Sequence, residues 1–227
     1  ELLLAFLHFS KLQQGEVKQV ELLQKANASA AQLKGLIDKK ILYTERRSVH
    51  RLPQLPPMSN VDFALSDAQT KALESLQNSL QTQPIVLLHG VTASGKTQLY
   101  IHLIAKYLQA GKQVLYMLPE IALTAQTIRR LQQHFGGNIA VYHSKFNPNE
   151  RVELWHKVRE GNIRIVLGAR SAMLLPFQDL GLIIIDEEHD ASYKQQDPAP
   201  RYHARDAAIY YASLHQAKVV LGSATPS

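Results

Sequence analysis

The sequence contains no cysteine, which excludes a disulfide framework and any cysteine-based zinc site and leaves the compartment open. Long apolar runs are also missing: none approaches the ~20 residues that a membrane-spanning helix needs. The opening Glu1-Leu2-Leu3-Leu4-Ala5-Phe6 has no basic leader and is not expected to act as a signal peptide. Tryptophan occurs once and methionine three times, so aromatic chemistry rests mainly on tyrosine. The ten histidines show no metal-site spacing supported by other ligands.

What is present is enough for a packed core. Of 227 residues, 45% are hydrophobic, which argues against disorder and suits one ordinary domain plus a small one. A chain that opens on Glu1 and stops at Ser227 reads as a piece of something longer. The net charge of +6 suits an acidic polymer as partner, although such basicity is common elsewhere. Residues 1–60 carry nine Lys/Arg against five Asp/Glu, so the smaller piece is the more basic one.

The boundary is expected at Leu52–Asn60, where Pro53, Pro56 and Pro57 remove backbone donors and fix φ. This gives residues 1–52 as one domain, 53–62 as a Pro-rich linker and 63–227 as a larger domain. In the first, helical patterns cover Leu2–Phe9, Val20–Ala26 and Ser29–Lys39. Ile41–Thr44 and Val49–Leu52 alternate around a basic tip with Arg46 and Arg47, which predicts a hairpin. Helix, turn, helix and basic hairpin form the pattern of a winged helix. One reading places Arg46, Arg47 and Arg51 on DNA phosphates; the other is an interaction or spacer module of the same shape. The third helix offers Gln32, Lys34, Asp38, Lys39 and Lys40 but no arginine, a poor set for reading bases.

In residues 63–227, a helix from Ser66 to about Leu80 precedes six apolar strands that alternate with helices. The strands are expected at Ile85–Leu88, Val114–Leu118, Ile139–His143, Ile163–Leu167, Leu182–Asp186 and Val219–Gly222, with helices at Thr97–Ala110, Ala122–Phe135, Pro148–Glu160 and Tyr202–His215. This alternation predicts an α/β fold: a parallel sheet with helices on both faces. Ligand is then expected beyond the carboxyl ends of the strands.

Gly90-Val91-Thr92-Ala93-Ser94-Gly95-Lys96-Thr97 fits the phosphate-binding pattern G-x-x-x-x-G-K-[ST], and it lies between a predicted strand and a predicted helix. Its backbone N–H groups would surround phosphate oxygens, Lys96 would reach the β- and γ-phosphates, and Thr97 would take a place on Mg²⁺. Asp186-Glu187-Glu188-His189 ends a second apolar strand, where Asp186 suits the metal and Glu187 the attacking water. Acids opening a helix, favoured by its dipole, are the plainer reading of that tetrad. Gly222-Ser223-Ala224-Thr225 ends a third strand.

A phosphate loop followed by Asp-Glu-Glu-His and then Ser-Ala-Thr resembles the first motor lobe of superfamily 2 helicases, which implies that the sheet is of the P-loop NTPase (RecA-like) kind. Leu118–Thr124, Gly168–Ala172, Asp186–Gln196 and Arg201–Asp206 extend the resemblance to the PriA family of bacterial replication-restart helicases, over essentially all of residues 61–227. The preceding winged helix agrees with that family's domain order. The resemblance implies ATP with Mg²⁺ as cofactors and a 3′→5′ DNA helicase acting in replication restart and primosome assembly. It also implies single-stranded and forked DNA, primosome proteins and the replicative helicase loader as partners, and a monomer in the bacterial cytoplasm at the nucleoid. A double-strand DNA translocase, or a nucleotide-gated loader and scaffold at forks, are the alternatives.

By position, the resemblance makes Gly90 to Thr97 the triphosphate site, Asp186 the Mg²⁺ ligand and Glu187 the catalytic base. His189 with Gly222, Ser223, Ala224 and Thr225 would link nucleotide state to DNA grip. Gln69 falls where relatives read adenine, although Ser66-x-x-Gln69 is equally a capping box. Thr124, Arg129, Arg130, Arg170 and Ser171 would contact the tracked strand. Tyr193, Lys194, Arg201 and Tyr202 lie in an aromatic-rich loop in which tyrosines would stack bases, a contact worth roughly 1–3 kcal/mol per base; packing the loop onto the lobe is the plainer role for the same rings. The second lobe, and the arginine finger it would supply, lie outside these residues. Because such a finger contributes ~10³–10⁵ in rate, this chain alone is expected to hydrolyse nucleotide very slowly.

Overall fold

The computed structural model describes residues 2–12, 17–45, 64–91, 94–143 and 147–226. The chain divides into two compact units, residues 1–49 and 50–227.

Among the described residues, the first unit has three helices, α1 (Leu2–Leu12), α2 (Gln19–Lys25) and α3 (Ala30–Asp38). They meet on buried Leu2, Leu22 and Leu33, with Phe6, Phe9, Leu36 and Leu42 packed around them. Ser29 caps α3: its hydroxyl accepts from the Gln32 amide, and the Gln32 side chain accepts from the Ser29 N–H.

The strand expected at Ile41–Thr44 does not form; these residues are irregular. The end of α3 explains why. Lys40 is left-handed (φ 57°), its N–H donates to the Ile37 carbonyl at 2.9 Å, and the Ile41 N–H donates to Leu36 at 3.0 Å. That is a Schellman closure, which spends on the helix the donors a strand would need. Arg46, Arg47, Arg51, the other half of the predicted hairpin and the Pro-rich linker lie outside the described residues.

The second unit is a six-stranded, all-parallel sheet with strand order β1-β6-β5-β2-β4-β3. The strands are β1 (Ile85–His89), β2 (Gln113–Met117), β3 (Ile139–Tyr142), β4 (Ile165–Gly168), β5 (Leu180–Asp186) and β6 (Lys218–Ser223). Helices α4 (Asp67–Thr82), α5 (Lys96–Gln109) and α6 (Ala125–Phe135) cover one face. Helices α7 (Pro148–Arg159) and α8 (Ala204–Leu214) cover the other. Alternation sorts the side chains: Leu182 and Ile184 of β5 face the first layer, and Ile183 and Ile185 face the second. On α8, Ala204, Ala208 and Ala212 recur every fourth residue, and this small-residue face packs closely on the sheet.

β4 starts two residues later than the pattern suggested, because both backbone groups of Ile163 are already engaged. Its N–H donates to the Lys157 carbonyl, and its carbonyl accepts from the buried Gln113 side chain. Gln113 also donates to Val158 at 2.8 Å and accepts from the Gln178 and Asp179 amides at 2.8 and 3.1 Å. One amide thus joins the end of α7 to the approaches of β4 and β5. Replacing it removes partners from the Ile163 carbonyl and from the Gln178 and Asp179 N–H groups, each worth about 1–3 kcal/mol. Gln113→Ala should lower unfolding stability by about 3 kcal/mol or more, read as a fall in urea midpoint at unchanged m-value.

Candidate functional site

Parallel pairing places the carboxyl ends of all six strands on one edge. β6 lies between β1 and β5, and its register pairs Ser223 with His89 and Gly222 with Asp186. The loops after β1, β5 and β6 therefore converge. A cleft of about 450 Å³ opens there, lined by Gln69, Ser94, Gly95, Lys96, Thr97, Gln98, Arg130, Asp186 and Glu187. Its size suits a nucleotide-class ligand.

Gly95 caps α5 in the left-handed region, at φ 91°. A side chain there would be strained and would strike the Gln69 amide nitrogen. The first N–H groups of α5 have no intrahelical acceptors and, with the helix's positive end, offer a seat for an anion. Lys96 is nearly buried, and its ammonium donates to the Gly90 carbonyl at 2.6 Å and lies 3.8 Å from a Glu187 carboxylate oxygen. Thr97 lines the same cleft as Asp186. Of the other loop positions, Val91 is exposed, and Thr92 and Ala93 lie outside the described residues.

Asp186 is held from several directions. Tyr100 donates to Oδ1 at 3.1 Å, Tyr116 donates to Oδ2 at 3.2 Å, and the Glu187 N–H also reaches Oδ1. Burial pushes the Asp186 carboxyl above the ordinary carboxylate range; Glu187 adds to the rise, and the two hydroxyls and Lys96 oppose it. Burial, followed by the charge of Asp186, raises both tyrosines well above the usual phenol range, so they remain donors. Sequence patterning gave no sign of them, since Tyr100 and Tyr116 pass for core residues on an apolar helix and strand.

After Asp186 the chain turns sharply instead of opening a helix. Glu187 is left-handed (φ 48°), a costly conformation for a non-glycine residue and one found at functional sites. It lies 3.8 Å from His189 Nε2. His189 Nδ1 is 2.8 Å from the Ser223 hydroxyl, which accepts from the Thr225 N–H at 3.1 Å. A polar chain thus runs from Glu187 through His189 to Ser223 and Thr225. Ala224 contributes its carbonyl to His89 Nε2 at 3.2 Å.

Gln69 holds both roles open in the sequence. Its side-chain oxygen accepts from the Ser66 N–H at 3.0 Å, which completes the capping box, and its nitrogen donates to Gln98 on the cleft wall. Gln98 itself has no sequence signature beyond its place in α5.

The residues expected to touch DNA are distributed differently. Arg130 lines the nucleotide cleft; its neighbour Arg129 is exposed elsewhere on α6. Both are exposed, and one position along a helix turns a side chain by about 100°. Thr124 caps α6 by accepting from the Thr127 N–H. Arg170 donates to the Ser192 and Lys194 carbonyls at 3.3 and 3.0 Å, anchoring the loop that follows β5. Ser171 is part of the same 3-10 turn, half-buried.

Tyr193 does not stack bases in this structure. It is 1% exposed, and its hydroxyl donates to the Asp186 backbone carbonyl at 2.7 Å, because its ring completes the core beneath α8. The loop it begins folds back on itself: Lys194 bridges His203, and the Gln195 N–H donates to Tyr202. Tyr202 is partly buried against that same core, whereas Lys194 and Arg201 are exposed, Arg201 lying 3.6 Å from Asp197. Where the loop enters α8, Arg205 donates to the buried Glu188 carboxylate at 2.6 Å.

Residues 66–227 match the DEAD/DEAH box helicase family, and the chain belongs to that family. Residues 1–49 match a winged helix domain described for PriA helicase of Bacteroidota. The chain is 42% identical to replication restart protein PriA of Bacillus subtilis (strain 168) over 98% of its own length and 28% of that protein's. For replication restart protein PriA of Chlamydia trachomatis serovar D, the figures are 40%, 91% and 28%. The chain thus spans just over a quarter of these relatives. Among solved structures, RecG bound to a three-way DNA junction superposes with a TM-score of 0.55 at 26% identity, over 73% of this chain and 22% of that one.

The Glu188–Arg205 pair has a measurable consequence. Glu188 is 3% exposed, so Arg205→Ala removes a close charged donor from a buried carboxylate and should destabilise the chain by about 2–3 kcal/mol. Adding Glu188→Gln should restore much of that loss. Denaturant unfolding of the two single variants and the double variant measures the coupling.

Proposed function

We propose that this chain is the winged-helix and first motor lobe of a PriA-type, ATP-dependent 3′→5′ DNA helicase acting in replication restart and primosome assembly. The observation that carries this reading is the meeting of Lys96, Thr97, Asp186 and Glu187 in one cleft, joined through His189 to Ser223 and Thr225.

The residues fit ATP with Mg²⁺. The left-handed cap at Gly95 and the free amides of α5 would hold phosphate oxygens, with Lys96 moving from the Gly90 carbonyl to the β- and γ-phosphates. Thr97 and Asp186 would share the metal, which when bound neutralises charge developing on the transferred phosphoryl group. Glu187 would orient the attacking water and take its proton, with the Lys96 ammonium 3.8 Å from one carboxylate oxygen and His189 Nε2 3.8 Å from the other. Gln69, its amide set by Ser66 and Gln98, would face adenine. A change at Glu187 would reach Ser223 and Thr225 through His189.

Single-stranded and forked DNA are the proposed substrates, with primosome proteins and the helicase loader as partners and the bacterial cytoplasm as the setting. The likeness to RecG on a three-way junction supports branched DNA. Arg129, Thr124, Lys194 and Arg201 remain as the exposed candidates for phosphate contact, with Arg46 and Arg47 on the winged helix. Arg170 and Tyr193 serve instead to fasten the loop after β5 to the strand that carries Asp186.

Two substitutions separate binding from chemistry. Lys96→Ala should weaken fluorescent ADP binding in the presence of Mg²⁺ by about 10- to 100-fold, the scale of a lost hydrogen bond to a charged group. Glu187→Gln should bind nucleotide as the parent does, while hydrolysis measured in the full-length protein falls by ~10²–10⁴. Unchanged hydrolysis in Glu187→Gln would remove the base assignment.

A further inference from the structure

Two of the hydroxyls around Asp186 have no part in the steps above, yet both donate to its carboxylate. Tyr100 lies four residues after Lys96, so the two share a face of α5. Tyr116 stands on β2, opposite Ile184, two residues before Asp186 on the neighbouring strand. Both rings are essentially fully buried, with centroids 5.5 Å apart, edge to face. One hydroxyl goes to each carboxylate oxygen.

That division matters because the terminal torsion of an aspartate is soft and broadly two-fold. A donor on each oxygen fixes the plane of the carboxylate while leaving further lone-pair sites on both oxygens. The backbone keeps the space clear: any side chain at Gly222 would strike the Tyr100 hydroxyl and come within 2.9 Å of Asp186 Oδ1. The glycine of the Gly-Ser-Ala-Thr segment therefore permits the contact between Tyr100 and Asp186.

We propose that Tyr100 and Tyr116 are positioning residues for the metal, holding the Asp186 carboxylate in the one plane that faces a nucleotide-bound Mg²⁺. The inference rests on Asp186 being the Mg²⁺ ligand. Partners of a metal-binding group that do not themselves touch the metal commonly change its affinity by 10-fold or more.

The test uses the 227-residue chain and fluorescent ADP, titrated with saturating Mg²⁺ and again with EDTA. The readout is the ratio of the two affinities, which a general loss of folding does not move. Tyr100→Phe and Tyr116→Phe should each keep the EDTA affinity within about twofold and lose roughly three- to tenfold of the Mg²⁺ enhancement, and the double variant should lose more. Tyr107→Phe, on the same helix but away from Asp186, should match the parent. Gly222→Ala, which displaces Tyr100 without removing its hydroxyl, should reproduce the Tyr100→Phe signature, and it decides the matter should a Phe variant fail to fold. An unchanged ratio in these variants, or equal losses with and without Mg²⁺, overturns the positioning role and leaves the Mg²⁺ assignment standing. No Mg²⁺ enhancement in the parent overturns both.

Discussion

The site depends on two hydrogen bonds at the end of β6. The Gly90 N–H donates to the Ser223 carbonyl, and the Glu188 N–H donates to the Gly222 carbonyl, both at 3.0 Å. One strand end thereby holds the phosphate loop on one side and the acidic loop on the other. Because β6 lies between β1 and β5, the loops after those two strands meet only with β6 inserted between them. Lys96, Asp186 and Ser223 lie far apart in sequence, and this insertion is what fixes their spacing.

The same junction explains why small residues stand where they do. Gly222 leaves room for the Tyr100 hydroxyl, and Ser223, fully buried, offers its hydroxyl to His189 and Thr225 at once. A larger residue at either position would push apart groups that have to meet. The motif is thus a packing requirement as much as a chemical one.

Much of this was legible in the sequence, for identifiable reasons. Buried parallel strands are continuous apolar runs, so β2, β5 and β6 stood out, and β1 carries a similar run although Ile85 and Leu87 are exposed. The phosphate loop and the acidic tetrad are local patterns whose chemistry needs fixed spacings. What was hidden depends on tertiary contact. Ile41–Thr44 has strand-like alternation, but the closure of α3 claims its donors. Tyr193 looks like a stacking residue in a polar loop until the core beneath α8 covers it. Arg129 and Arg130 are adjacent in sequence, yet helical rotation sends one of them to the nucleotide cleft. Tyr100 and Tyr116 were invisible because nothing local separates a core tyrosine from one that holds a carboxylate.

The loop after β5 is tied to the acidic tetrad at both ends: Tyr193 holds the Asp186 carbonyl, and Arg205 holds the Glu188 carboxylate. Arg170 clamps its first turn from a third direction. The exposed part, with Lys194 and Arg201, therefore cannot shift as a rigid piece without straining hydrogen bonds to the strand that carries Asp186. Displacing that loop would bear on the Asp186 backbone through Tyr193 and on the Glu188 carboxylate through Arg205. Glu187 lies between the two in a left-handed conformation. The proposed base thus sits in a backbone turn whose flanking residues are both held by the loop.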